Sequence, residues 1–261
     1  MMAQDLSASS ITAGLATRVI GRRVLYYPSV TSTMDIARRE ARRGAAEGTV
    51  VVAGEQTTGR GRLQRTWYSP QGNIALSIVL RPDLASLPCL VMIASLAVVR
   101  GIGAVTGLEA LIKWPNDVLI DGRKVCGILI ENEVVGNKVS FAIIGIGINV
   151  ALRPSDIAGI AGTATSLEQE LGTTVVPVAL VTSLLTEFER LYLALPDNES
   201  IYSAWRDRLV TLGKRVTVHS GGDVLDGVAE SVDRTGALLL RHDDGNVTKV
   251  IAGDVTLRHN D

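Results

Sequence analysis

Two stretches of this chain concentrate side chains able to handle negative charge. The first, Gln56-Thr57-Thr58-Gly59-Arg60-Gly61-Arg62-Leu63-Gln64-Arg65-Thr66-Trp67, sets three arginines around two glycines. Glycine lets the backbone approach a ligand closely, and each guanidinium is a rigid fork of donors matched to carboxylate or phosphate oxygens. In composition this is an anion clamp, and equally a solvated basic loop. It lacks the Gly-Lys-Ser/Thr ending of a P-loop and the Gly-x-Gly-x-x-Gly dinucleotide fingerprint. Trp67 alone reads more readily as core than as a base-stacking platform. The second stretch is Lys113-Trp114-Pro115-Asn116-Asp117, followed by Arg123-Lys124. If Asp121-Gly122 forms a two-residue turn, Ile120 faces Arg123, Leu119 faces Lys124 and Asp117 faces Cys126. Asp117 and Lys124 then share a sheet face as diagonal neighbours, with Cβ atoms about 7 Å apart. A small anion or an amine fits between them. The plainer alternative is a surface ion pair worth ~0–1 kcal/mol, and a one-residue slip would put the two on opposite faces.

A third feature is Ile144-Gly145-Ile146-Gly147-Ile148-Asn149, with Gly127 in the neighbouring strand. Glycine inside a strand marks a bulge or the close approach of a ligand or backbone. His219, His242 and His259 have neither metal nor triad spacing, and no Ser or Cys nucleophile arrangement is supported. No protein metal site is expected.

The elements that must carry these residues follow from periodicity. Val24–Tyr27, Thr49–Ala53 and Ile74–Leu80 read as strands, the last one mostly buried. Ser32, with Asp35 three residues on, reads as a helix N-cap, and that helix ends before Gly44. Gly54–Arg65 has no hydrophobic period and is expected to be a mobile loop. Pro88–Gly103 is apolar all round, a helix packed on two sides. Val118–Ile120, Val125–Ile130 and Val139–Val150 make consecutive antiparallel strands. Helical spacing returns from Leu180 to Tyr192 and over Ile201–Leu209. From Lys214 onward, Arg215–His219, Val224–Glu230, Ala237–Leu240, Val247–Ile251 and Val255–Arg258 alternate with Gly- and Asp-rich turns, the pattern of a small β-barrel. The whole is an α/β (α+β) fold with a mixed sheet.

With 261 residues, the chain has room for one catalytic domain and a small appendage. A net charge of −1 offers no domain-wide positive excess to neutralise a run of phosphates, which argues against a dedicated nucleic-acid binder. Two cysteines, Cys89 and Cys126, are far short of a disulfide scaffold. The longest apolar stretch, Cys89–Val99, is shorter than a spanning helix requires, and the first residues lack an export signal. A cytoplasmic protein without a membrane partner is expected, with residues 1–21 a tail or short leading helix.

Taken in order, Ser32-Thr33, the Gln56-x-x-Gly59-Arg60-Gly61-Arg62 run with Arg65 and Trp67, Lys113-Trp114-Pro115-Asn116-Asp117, Lys124 with Gly127, and Gly145-Ile146-Gly147-Ile148-Asn149 closely resemble the biotin protein ligases. The resemblance runs from about Tyr26 to the C-terminus. It implies a biotin/lipoate ligase-like catalytic domain over residues 22–211 and an SH3-like domain over 212–261. It implies two steps: biotin and ATP form biotinyl-5′-adenylate, then a lysine of a biotin carboxyl carrier domain takes the biotinyl group. It further implies magnesium as the nucleotide's counter-ion. By the same resemblance Ser32, Thr33 and Gln56 lie at the biotin ring, with Met34 contributing through its backbone. Lys124 and Arg60-Gly61-Arg62 lie at the carboxylate and phosphate, and Gly127 belongs with them to the biotin-binding set. Arg62, Arg65, Trp67, Asn116 and Asn149 line the nucleotide side, and Lys124, Arg62, Lys113 and Asp117 serve the chemistry.

Two departures stand out. Met34 replaces a common Asn, and Gln64 replaces a common Gly, which implies a loop less free to take positive φ. Relatives that also repress transcription carry a helix-turn-helix domain ahead of the catalytic one, which some 21 residues cannot hold, so no nucleic-acid partner is expected. A lipoate or octanoate ligase of the same superfamily and a non-catalytic biotin-sensing repressor are the competing functions. Monomer and homodimer are equally compatible with the chain.

Overall fold

The computed structural model describes residues 6–195 and 198–257; Arg258, at the end of the last expected strand, and His259 lie outside the described residues. The first elements are α1 (Ala8–Ala13), β1 (Val24–Tyr27), α2 (Thr33–Arg42), β2 (Val50–Ala53), β3 (Ile74–Leu80) and α3 (Cys89–Thr106). Next come β4 (Leu111–Lys113), β5 (Asp117–Ile120), β6 (Arg123–Val135), β7 (Lys138–Ile148), α4 (Leu167–Leu171), α5 (Pro177–Leu193) and α6 (Asn198–Arg206). The strands pair in the order β1-β2-β3-β7-β6-β5-β4. Among these seven strands of the described residues, only β1 and β2 run parallel. The β-rich tail forms β8 (Arg215–Ser220), β9 (Asp223–Val232), β10 (Leu238–Arg241), β11 (Val247–Val250) and β12 (Asp254–Leu257), an antiparallel sheet ordered β11-β10-β9-β8-β12.

Strand alternation sorts the large sheet into two unlike faces. The cross-strand rows Val50-Ile78-Ile144-Ile130 and Val52-Leu76-Ile146-Ile128 belong to the main core with α3 and α5. Each fully buried Leu or Ile there is worth about 1.5–3 kcal/mol. α3 is apolar on all sides because it packs on the sheet, α5 and α6 together. The intervening rows point to the opposite face, where α2 covers one part.

Two segments are more ordered than their sequence suggests. In the leading segment Ile11 and Ile20 are fully buried. The Glu189 carboxylate of α5 accepts the backbone N–H groups of Arg18, Val19 and Ile20 at 2.7–2.9 Å. That anchor lies about 170 positions away, beyond the reach of any local pattern. Residues 54–65, expected to be a mobile loop, join residues 66–69 in a short hairpin. Gln56 pairs with Ser69 and Arg60 with Thr66, both antiparallel, and Trp67 N–H donates to the Gly59 carbonyl at 2.9 Å. Backbone pairing supplies the order that hydrophobic periodicity would have signalled.

Candidate active site

The sheet face opposite the core builds the site from one continuous row. Tyr27, Ala53, Ala75, Gly147, Gly127, Asp117 and Lys113 are successive cross-strand partners from β1 to β4. Side chains vanish in the middle of this row, leaving a floor of bare backbone with a carboxylate and an ammonium group at one end. The indole of Trp67 lies on the floor: a Cβ at Gly147 would fall inside it, and one at Gly127 would come within 3.1 Å. This is the close approach the strand glycines hinted at.

The register corrects one expectation. Asp117 faces Gly127, and Val118 faces Cys126, because Val125 is an extra residue bulged out of β6 between the Leu119–Lys124 and Val118–Cys126 pairs. Lys124 and Gly127 are three apart and would point to opposite faces of a regular strand. The bulge resets the alternation, so both address the floor, and Lys124 Nζ meets Asp117 Oδ1 at 2.6 Å and lies 5.6 Å from the Trp67 ring centroid. Burial lowers the Lys113 pKa from its ordinary value; Asp117 opposes this and Lys124 reinforces it. Cys126 sits on the core side, where burial pushes its thiol far above the usual range.

The hairpin closes over this cluster. Arg62 donates to Asn116 Oδ1 at 3.0 Å and to the Gly253 carbonyl at 3.2 Å, and Arg65 pairs with Asp254. The small C-terminal sheet therefore holds the clamp from above. Arg60 instead pairs with Asp35 on α2, which also binds Arg38, which in turn reaches Glu131. The structure thus places Arg60 at α2, apart from the Lys124 cluster's own ion pairs. Gly59 is the hairpin's sterically required glycine, since a Cβ there would lie 2.5 Å from the Trp67 carbonyl oxygen. Gly61 serves the turn, its N–H donating to the Arg65 carbonyl at 2.8 Å.

A second polar group forms where α2 begins. Gln56 Oε1 accepts from Thr33 N and Thr33 Oγ1 at 2.8 and 3.0 Å, and Thr33 Oγ1 accepts from Ser77 Oγ at 2.9 Å. Ser32 is the N-cap residue but makes no capping bond, so its hydroxyl is not committed to the helix. The Met34 side chain is 4% exposed and packs with Val51, Val79 and Ile143, which leaves the backbone as the part of Met34 that can serve the role the resemblance implies. A Cβ at Gly145 would lie 2.6 Å from its Sδ. Asn149 uses its amide on the Thr165 and Lys124 carbonyls at 3.0 and 3.4 Å, fastening the segment after β7 to the start of β6. A separate groove of about 660 Å³, lined by Arg100, Glu187 and Arg190, opens on the helical layer and has no comparable floor.

Residues 26–149 match the Biotin/lipoate A/B protein ligase family, and residues 211–258 match the Biotin protein ligase C terminal domain. The chain is 37% identical over 258 residues to the Bifunctional ligase/repressor BirA of Bacillus subtilis (strain 168), covering 97% of this chain and 79% of that one. The chain belongs to the biotin protein ligase family. The ligase is also 38% identical over 200 residues to the Biotin--[acetyl-CoA-carboxylase] ligase of Paracoccus denitrificans, covering 73% of this chain and 83% of that one. Its fold is similar to that of the biotin protein ligase from Aquifex aeolicus solved in complex with biotin and ATP, with a TM-score of 0.78 and 26% identity over 92% of this chain and all of the other.

Three residues in contact with this candidate site escape sequence reasoning. Ser77 looks like a lone polar interruption in an apolar strand, and that interruption was its only signal. Gly253 and Asp254 lie in the β-rich tail with nothing to mark them. Their role comes from docking between two units whose cores merge, where Trp114 donates through its indole to the Gly236 carbonyl at 2.8 Å and through its N–H to Thr211 Oγ1 at 2.9 Å.

Proposed function

We propose that this ligase activates biotin with ATP to biotinyl-5′-adenylate, releasing pyrophosphate, and transfers the biotinyl group to a lysine of a biotin carboxyl carrier domain of an acetyl-CoA or related carboxylase. The observation that carries the proposal is the single row in which Lys113 and Asp117 adjoin the Gly127–Gly147 floor, with Lys124 on the same face and Arg62 above. A carboxylate oxygen attacking the α-phosphorus brings two anions together, and preorganised cations offset that repulsion. Lys124, Arg62, Lys113 and Arg65 supply them, each charge-assisted hydrogen bond contributing about 1.5–3 kcal/mol. The Thr33–Gln56–Ser77 group, with Ser32, supplies polar partners for a ureido ring, a reason to favour biotin over a lipoyl chain.

Among the described residues no group of three His, Cys, Asp or Glu side chains could cage a metal. Magnesium commonly takes one or two carboxylates along with substrate phosphates, so it is read as arriving on the triphosphate, where it would screen charge, with Asp117 and Asp254 the carboxylates at hand. In the second step the acceptor lysine must attack as a neutral amine, although with a pKa of ~10.4 only about one in 2,500 is neutral at pH 7. Asp117 stabilises the ammonium form, so its role is to position the acceptor. The amine then attacks the acyl carbon, AMP leaves, and the closed hairpin keeps water from the mixed anhydride.

On this reading the ligase acts in the cytoplasm. Intact mass of a carrier domain incubated with the protein, ATP, magnesium and either biotin or lipoate tests the proposal. Addition of one biotinyl group supports it; lipoyl addition alone, or no ATP-dependent addition, overturns it.

A further inference from the structure

Next to the Thr33–Gln56 group lies a hydroxyl with no partner. Ser69 is 2% exposed, and its Oγ makes no hydrogen bond. A buried hydroxyl without a partner loses its hydration and gains nothing in return, so native proteins rarely keep one without a use. Its position follows from the hairpin pairing. Ser69 is the antiparallel partner of Gln56, its carbonyl accepting the Gln56 N–H at 2.9 Å. Directly opposed residues on antiparallel strands project to the same side. The Gln56 side chain on that side is fixed, because Oε1 takes both hydrogen bonds from Thr33. Gln56 Nε2 is turned toward Gly59, where a Cβ would lie 3.1 Å from it. Thr33 and the Gln56 carbonyl oxygen thus already share hydrogen bonds, whereas the Ser69 hydroxyl on the same side has both a donor and an acceptor unused.

We infer that Ser69 Oγ is a direct hydrogen-bond partner of the bicyclic ring of biotin, engaging its ureido edge. This rests on the reading of the Thr33–Gln56 group as the vitamin pocket. A ureido group offers two N–H donors and one carbonyl acceptor, and a hydroxyl can answer either. An aliphatic acyl chain offers neither, so Ser69 contributes to selecting the ring rather than to the reaction.

The test is Ser69→Ala, read by calorimetric titration with biotin and by thermal melting of the ligand-free protein. The expected result is a roughly 5- to 20-fold weaker affinity for biotin, with a ligand-free melting temperature equal to or above that of the parent, since an unsatisfied group has been removed. A purely structural Ser69 gives the opposite pattern, a lowered ligand-free melting temperature with biotin affinity within twofold of the parent, and that pattern overturns the inference. Should the parent protein itself fail to bind biotin, the reading of the pocket falls, a result distinct from unchanged affinity in the variant alone.

Discussion

The tip of the arginine hairpin is the most informative place to perturb. Arg65 N–H closes on the Arg62 carbonyl at 3.1 Å, and the two residues between them both have positive φ, Leu63 at 52° and Gln64 at 59°. This is a type I′ turn, which favours Asn-Gly and strains other residues. The left-handed conformation costs a non-glycine residue about 1–2 kcal/mol. Glycine relieves that strain but gives up about 0.5–1 kcal/mol in conformational freedom. The difference leaves Gln64→Gly favouring the closed turn by about 0.5–1 kcal/mol, roughly a two- to fivefold change at 1.36 kcal/mol per factor of ten. If opening of the clamp releases this turn, the variant holds its adenylate two- to fivefold longer by that scale. Gln64→Val, with a β-branched side chain that tolerates positive φ worst, lets it go faster. Loading the protein with biotin and labelled ATP, then chasing with unlabelled substrates, measures both lifetimes. Equal lifetimes in the two variants, or the reverse order, would refute the idea that turn strain governs clamp opening.

Lys124→Ala removes the cation that pairs with Asp117 beside the glycine floor and, on the proposed role, should slow adenylate formation in single-turnover kinetics far more than it weakens ATP binding. Arg62→Ala loses the bonds to Asn116 and Gly253, so adenylate escapes and acylates bystander lysines, detectable as label on an unrelated protein. Gly147→Ala puts a methyl group where the Trp67 indole lies, and tryptophan fluorescence should report a displaced ring together with loss of activity. Burial raises the Glu189 pKa, but the backbone N–H groups of Arg18, Val19 and Ile20 outweigh it and hold the pKa below the usual value. The stability it confers is therefore present above the ordinary glutamate range and fades as the pH falls through its lowered pKa. Glu189→Gln should free the leading segment for proteolysis at neutral pH, costing ~1.5–3 kcal/mol, with the gap to the parent closing in acid.

Much of the architecture was legible from local chemistry. The Asp121-Gly122 turn has both residues at positive φ, 47° and 75°, and it joins strands whose alternation marked them as a pair. The apolar α3 and the β-rich tail likewise declare themselves, because packing on two sides and frequent tight turns each leave a compositional trace. The site was legible as a set of residue types, and the proximity of Asp117 to Lys124 follows from the turn. Illegible were the bulge at Val125, the order in residues 54–69, the dispersal of the three arginines among Asp35, Asn116 and Asp254, and the burial of Met34. The arginines and Met34 answer to partners distant in the chain, and residues 54–69 are ordered by backbone pairing that leaves no hydrophobic period.

Residue identity alone thus determines which groups are present and which sheet face most of them prefer, since charge, chirality and a period of two are properties of the chain. Only the assembled molecule decides the phase of β6. One bulged residue turns Lys124 and Gly127 toward the same floor and sets Asp117 against backbone instead of a thiol. Register between strands is a cooperative outcome of packing both faces at once; no segment carries it, and the active site exists only where it is settled.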